Sequence, residues 1–288
     1  MPETHWCHQR LLLKVRAGSR CHGLAGETSD EDTRGVCLPP ARYLYGLSHF
    51  EQWESEGRDH VIYSLVKFVR LALDGNPNII ETFYVDPQDM LYIHPLARPL
   101  LEGRDRFLSR NVGNKFGRYA IGQLKKIERH HRWMTQDPPI KPTPEQFGAI
   151  ASENSPKFPD TGAERAYRAA IKHYRGYQQW RETRNPQRAA LEVRHGYDTK
   201  HAMHLCRLLK MGIEILREGE VQVRRRDADW LRSVRQGALS YRELLTWVEK
   251  AEADLIEAER TTSLPESPDF DWAQEQVVAL TEAYLKKS

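Results

Sequence analysis

Strand-like runs are confined to the first third of this chain, and helical periodicity fills nearly all of the rest. That order predicts an α+β architecture, a small mixed sheet followed by a mostly helical half. Residues 10–17 form a short apolar run ended by Gly18 and read as a buried strand. Residues 32–38 alternate loosely and stop at Pro39-Pro40, which suits a second strand. A third short run covers 60–63 and leads into 64–73, where Leu65, Phe68, Val69 and Ala72 recur at helical spacing before Gly75, Asn76 and Pro77. Glu51, Glu54 and Glu56 fall in a polar, loop-like stretch. Beyond Pro95 the pattern is helical at 111–133, 161–183, 198–218, 227–236, 240–260 and 270–286, with Pro186 in the first turn of another helix. Val221 and Val223 read as one short extended piece.

Six prolines between 134 and 160 forbid a continuous helix there. The expected division is therefore a sheet-bearing domain at 1–133, a Pro-rich linker or lid at 134–160, and a helical domain at 161–288. No apolar run approaches the roughly 20 residues that a membrane-spanning helix needs, and the first residues lack the order of a secretory signal. An integral membrane protein and a disulfide-stapled secreted miniprotein are thus unexpected. Cys7, Cys21, Cys37 and Cys206 form no Cys-x-x-Cys pair, so reduced thiols in a cytoplasmic protein are the default.

The net charge of +3 hides an asymmetry. Residues 101–132 carry nine Lys/Arg against three acids, whereas 239–288 carry five against eleven. The first stretch has the sign that a phosphate backbone attracts, and also that of a solvated helix face.

One constellation carries chemistry. Gly18-Ser19 ends a strand, and Asp30-Glu31-Asp32 enters the next. Side chains two apart on a strand project to one side, so Asp30 and Asp32 can present two carboxylates to one point while Glu31 points away. Hard divalent cations such as Mg²⁺ take oxygen ligands of this kind and share them with substrate phosphates. Gly18 lets backbone approach a phosphate, and Ser19 offers a hydroxyl and an N–H. Asp59, immediately before the third strand, is the best candidate for the third acid of a two-metal arrangement for nucleotidyl transfer.

This order of features resembles the DNA polymerase beta superfamily of nucleotidyltransferases. Residues 18–40, from Gly18-Ser19-Arg20 through the acids to Pro39-Pro40, resemble a narrower family in it, the nucleotidyltransferases associated with RNA-repair ligases. The stretches 63–81 and 196–216 are similar to the same family. The resemblance implies a polymerase-beta-like palm, a nucleoside triphosphate donor, two Mg²⁺ ions (Mn²⁺ as a substitute) and pyrophosphate release. It implies that Gly18 and Ser19 hold the triphosphate, Asp30 and Asp32 the metals, and Asp59 the acceptor hydroxyl; Arg20 is placed either to contact a phosphate or to face solvent. The acceptor expected from the basic stretch and the family is an RNA 3′ end of tRNA-like kind. Transfer to a protein side chain, as in toxins or AMPylation, uses the same chemistry. The reading from another class is a non-catalytic nucleotide- or RNA-binding module. The superfamily flanks its carboxylates with apolar residues, whereas here Ser29, Glu31 and Thr33 flank them.

Elsewhere, Tyr197, Asp198, Lys200 and His201 cluster at a helix start. Lys200 is a candidate phosphate contact, Tyr197 a candidate base-stacking ring and His201 a candidate nucleotide contact. The alternative is an Asp198 or Thr199 N-cap beside a satisfied boundary histidine. Lys67 and Arg70 face the triphosphate or solvent, and Asn76 is a turn residue before Pro77. His5, Cys7, His8, Cys21 and His22 match no usual zinc spacing. His130-His131 read as surface residues, and Trp133, Trp180, Trp230, Trp247 and Trp272 as core packing.

Overall fold

The computed structural model of the protein describes residues 6–27, 29–152 and 155–286. Five strands form one mixed sheet: β1 (Leu11–Ala17), β2 (Asp32–Cys37), β3 (Gln52–Glu54), β4 (His60–Ser64) and β5 (Met90–Ile93). Their order is β3-β4-β2-β1-β5. Only β2 and β4 run parallel; β1 pairs antiparallel with β2 and β5, and β3 with β4. The helices are α1 (Trp6–Gln9), α2 (Gly18–Cys21), α3 (Ala41–Leu44), α4 (Leu65–Leu73), α5 (Pro77–Phe83), α6 (Arg98–Glu102), α7 (Asn111–Thr135), α8 (Thr161–Thr183), α9 (Pro186–His195), α10 (Thr199–Glu218), α11 (Ala228–Arg235), α12 (Tyr241–Thr261) and α13 (Phe270–Leu285). The α+β order expected from the sequence holds. The stretch read as a polar loop contains β3, an edge strand of three half-buried or exposed residues that shows no apolar alternation. Val221 and Val223 are buried but join no strand.

The described chain forms two compact units, residues 1–123 with 202–288, and residues 124–201. The division expected from the prolines therefore differs from the observed one. The boundaries run through α7 and α10, two long helices that each belong partly to both units, and the C-terminal helices return to the sheet.

In the first unit each sheet face has its own packing. On one face Cys7, Cys37 and Ile62 are buried against Trp6, Leu11, Phe50 and Trp53. On the other, α4 lays Leu65, Phe68, Val69 and Ala72 inward, its first turn capped by Ser64 Oγ accepting from Lys67 N–H. Asn76 caps α5, where Pro77 takes the first helical position. Phe68, Phe83 and Phe107 form a ladder with ring centroids 4.9 and 5.0 Å apart, and Trp272 of α13 meets Phe107 at 5.4 Å. Each such fully buried ring contributes about 1.5–3 kcal/mol relative to exposure. Leu280 of α13 lines the same core as Leu12, Val36 and Phe68. Gly212 lets α10 cross α7 and α12 closely: a β-carbon there would stand 3.0 Å from Phe116 and 3.1 Å from Leu255.

In the second unit the Pro-rich stretch is packed on α8. Phe147 and Phe158 meet Tyr167 at 5.7 and 5.4 Å, and Ile150 bridges Lys157. Trp133, Tyr177 and Trp180 tie α7 to α8.

Candidate active site

The site lies where β1 ends beside the start of β2. Ala17 pairs with Asp32, so the chain leaves β1 at Gly18 directly beside the start of β2. Gly18 takes φ +66°, and a β-carbon on it would fall 1.9 Å from Asp32 Oδ2. Only glycine meets both conditions, because the left-handed conformation disfavours a side chain and the space is occupied. The parallel register Thr33 to His60 puts Asp59 alongside Asp32, and Thr33 N–H donates to Asp59 O at 2.9 Å. Asp32 and Asp59 therefore share one face of the sheet end. Asp59 follows Arg58, the one non-glycine described residue with positive φ (+62°), at the end of the β3–β4 turn. Such strain, about 1 kcal/mol, is characteristic of functional turns.

Asp30 is exposed just before β2. Arg20 does not project freely: its Nε donates to Asp30 O at 3.3 Å and its NH2 to Ser29 O at 2.8 Å, so it braces the strand entry. Glu31 is turned the other way, 3.7 Å from Arg16 Nε, as strand alternation requires. Ser19 Oγ makes no hydrogen bond among the described residues, and neither Asp30 nor Asp59 is in an ion pair there. Asp30 and Asp59, without cationic partners among the described residues, and Asp32 beside them offer the hard carboxylate oxygens that Mg²⁺ takes as ligands. Their oxygens do not converge on one point: among the described residues the one group of three or more His/Cys/Asp/Glu whose ligand atoms all lie within 4.8 Å of one another is His130, Asp198 and His201.

A buried ion network that the sequence did not reveal supports the turn. His22, immediately after α2, is held by Glu81 Oε2 at 3.0 Å, and Glu81 Oε1 accepts from Arg207 of α10. Burial alone would raise the Glu81 pKa, but Arg207 and His22 together hold the carboxyl well below the usual carboxylate range. Burial and the Arg207 charge push His22 down, which keeps it neutral. On the outer side Arg225 N–H donates to His22 O at 3.1 Å, and Arg232 donates to Gly23 O. Arg224 binds Asp86 and Asp89, and the buried Asp89 also accepts from Arg16 at 3.0 Å. These partners lie far apart in sequence, so no local motif marks them. Arg34 follows Asp32 by two residues on the same face; its NH2 donates to Asn78 at 3.3 Å, and its buried Nε has no hydrogen-bond partner among the described residues.

The remaining expected residues lie in the second unit. Tyr197 is fully buried, which leaves no ring face for a base. Lys200 is exposed at the start of α10. Asp198 Oδ1 caps α10 by accepting from His201 N–H at 3.0 Å, while its Oδ2 stands 3.6 Å from His130 and 3.7 Å from His201. His130 is buried rather than on the surface, a correction that follows from its place facing Asp198. Trp133 and Trp180 are half-buried beside a groove and not in a closed core. Lys67 is paired with Glu51 at 2.7 Å. His5 lies outside the described residues. The four cysteines are free and buried, burial pushing the thiols of Cys21 and Cys206 up to about 12. No helix among the described residues is long and apolar enough to cross a membrane.

Residues 3–140 match the sequence profile of a family described as RNA repair pathway DNA polymerase beta family. The similarity noted at 196–216 falls outside that match. An uncharacterized 38.9 kDa protein of Enterobacteria phage T4, from the nrdC-mobD intergenic region, is 24% identical over 131 residues, 41% of this chain and 38% of its own. The chain thus aligns with well under half the length of that relative. No solved structure matches it.

Proposed function

Residues 3–140 belonging to the RNA repair pathway DNA polymerase beta family, we propose that the protein is a nucleotidyltransferase that moves a nucleoside monophosphate from a triphosphate to a hydroxyl of an RNA 3′ end. The observation that carries this reading is the meeting of Gly18, Asp32 and Asp59 at one sheet end. The Gly18–Ser19 turn takes the triphosphate, with the Ser19 hydroxyl donating to a phosphate oxygen. Asp30 and Asp32 would hold Mg²⁺, with Asp59 the third carboxylate. Mg²⁺ held there would supply neutralisation of phosphate charge and a lowered pKa for the acceptor hydroxyl. Asp59 accepts that hydroxyl's proton as the oxygen attacks the α-phosphorus and pyrophosphate leaves. Arg20 fixes the backbone at Asp30, and the His22–Glu81–Arg207 network fixes the turn from behind.

The test incubates the protein and Mg²⁺ with each labelled NTP, with RNA present or absent, and follows both pyrophosphate and label. Pyrophosphate release that Asp30→Ala/Asp32→Ala abolishes, with label on RNA, supports the reading. Equal release by wild type and variant would overturn it, and label only on protein would reject the RNA acceptor.

A further inference from the structure

The second unit carries a groove between the C-terminal half of α7 and α8, lined among others by Arg129, Trp133, Lys172, His173, Arg175 and Trp180. Its volume is about 1010 Å³, and no carboxylate is among its described lining residues. Residues 124–201 contain fifteen Lys/Arg against nine Asp/Glu, so the whole unit is basic. Of the cations lining the groove, Arg129, Lys172 and Arg175 form no ion pair among the described residues, whereas Arg168 is held by Glu164. Lys172 and Arg175 are one helical step apart and share a face of α8. The rings are arranged rather than scattered. Trp133 and Trp180 lie 5.4 Å apart, Trp133 Nε1 donates to His173 at 3.0 Å, and the Arg129 guanidinium sits 5.3 Å over Trp133. His173 is exposed, and both tryptophans are half-buried.

A cationic wall with a floor of half-open aromatic rings fits one polymer class. A single nucleic-acid strand presents phosphates about every nucleotide and unstacked bases between them. Lys172 and Arg175 hold the first, and the second reach the ring faces by displacing the guanidinium of Arg129 from Trp133 and that of Arg184 from Trp180. A duplex hides its base faces and gains nothing from the rings. An acidic protein would match the charge but leave the aromatic floor unused.

We propose that this groove binds single-stranded RNA. The choice of RNA over other single strands rests on the function proposed above, and the groove itself rests on the lining. The probe is a labelled, unstructured 12-nucleotide RNA, titrated with the full chain and followed by fluorescence anisotropy. The charge reversal Lys172→Glu/Arg175→Glu is expected to weaken binding at least 10-fold at low salt. It is also expected to lower the slope of log K against log salt by roughly 1.4, since each single-strand phosphate contact contributes about 0.7. A duplex of the same sequence is expected to compete poorly.

Wild-type affinity in the reversal variant, or equal competition by duplex, would overturn the proposal. Should the variant misfold, RNA carrying 4-thiouridine is crosslinked to the unmodified protein. Adducts within 129–183 support the groove, and adducts confined to 18–64 overturn it. Asp30→Ala/Asp32→Ala is expected to retain RNA affinity while losing pyrophosphate release; a wild-type protein that binds RNA through the groove yet releases no pyrophosphate would reject the catalytic reading and keep the groove.

Discussion

Gly18 and Asp32 are in contact as backbone and carboxylate, with no room for a single carbon between them. Gly18→Ala therefore meets two penalties. The left-handed φ costs about 1–2 kcal/mol, and the methyl displaces the Asp32 carboxylate. The expected result is a lower melting temperature together with at least a 100-fold loss of pyrophosphate release. A variant that melts lower but keeps full activity would show that Asp32 tolerates displacement.

Asp32 starts β2 and Asp59 directly precedes the adjacent strand β4, but the two are assigned different tasks. Asp32→Asn is expected to weaken Mg²⁺-dependent nucleotide binding and transfer together. Asp59→Asn is expected to leave the nucleotide dissociation constant within about threefold while transfer falls at least 100-fold, the pattern of a group acting on the acceptor. Calorimetry with a non-hydrolysable triphosphate beside single-turnover transfer separates the two.

Glu81 joins His22 and Arg207 inside the first unit. Removing one partner of a buried pair strands the other, so Arg207→Met is expected to cost about 3–5 kcal/mol in denaturant unfolding. The pH dependence has a definite sign. His22 is held neutral below its ordinary value, and Glu81 ionised below its own. In both cases the unfolded chain binds the proton more readily. Stability of this unit is therefore expected to fall as pH drops through about 6.5 for His22. It falls further below the ordinary carboxylate value for Glu81.

The second unit is expected to respond in the opposite sense. Burial, with Asp198 beside it, raises Glu192 to about 7 despite Arg184. Folded Glu192 keeps its proton where the unfolded carboxyl has lost it, so its contribution is present at low pH and is lost as pH rises from about 4.5 through about 7. Hydrogen exchange resolved by segment is expected to show 124–201 loosening toward pH 8 while the sheet loosens toward pH 5. Glu192→Gln is expected to flatten the first trend only.

Local chemistry was legible and distant pairing was not. The runs behind β1, β2 and β4 and the helix over 161–183 were readable because turn residues and period-2 or 3.6 patterns are local; the same local cues single out Gly18, Asp30, Asp32 and Asp59, which the structure brings to one sheet end without drawing the carboxylate oxygens to one point. β3 and β5 escaped because edge strands need bury only part of one face. Arg207, Arg224 and Asp89 escaped because an ion pair spanning more than a hundred residues leaves no trace in spacing. Tyr197 was misjudged for another reason: an aromatic ring at a helix start has the same sequence appearance whether it faces a cleft or the core. The expected domain boundaries differ from the compact units because prolines mark where a helix cannot pass, not where packing stops.

Leu280 and Trp272 complete a core whose other walls are made by residues 12–107. During synthesis the sheet emerges long before α13 exists. At 5–20 residues per second, roughly 10–40 s separate β5 from α13. For that interval the nascent chain presents an unsealed apolar face. This protein is accordingly expected to engage a chaperone at the ribosome, and premature termination before α13 is expected to yield aggregate rather than a truncated catalyst.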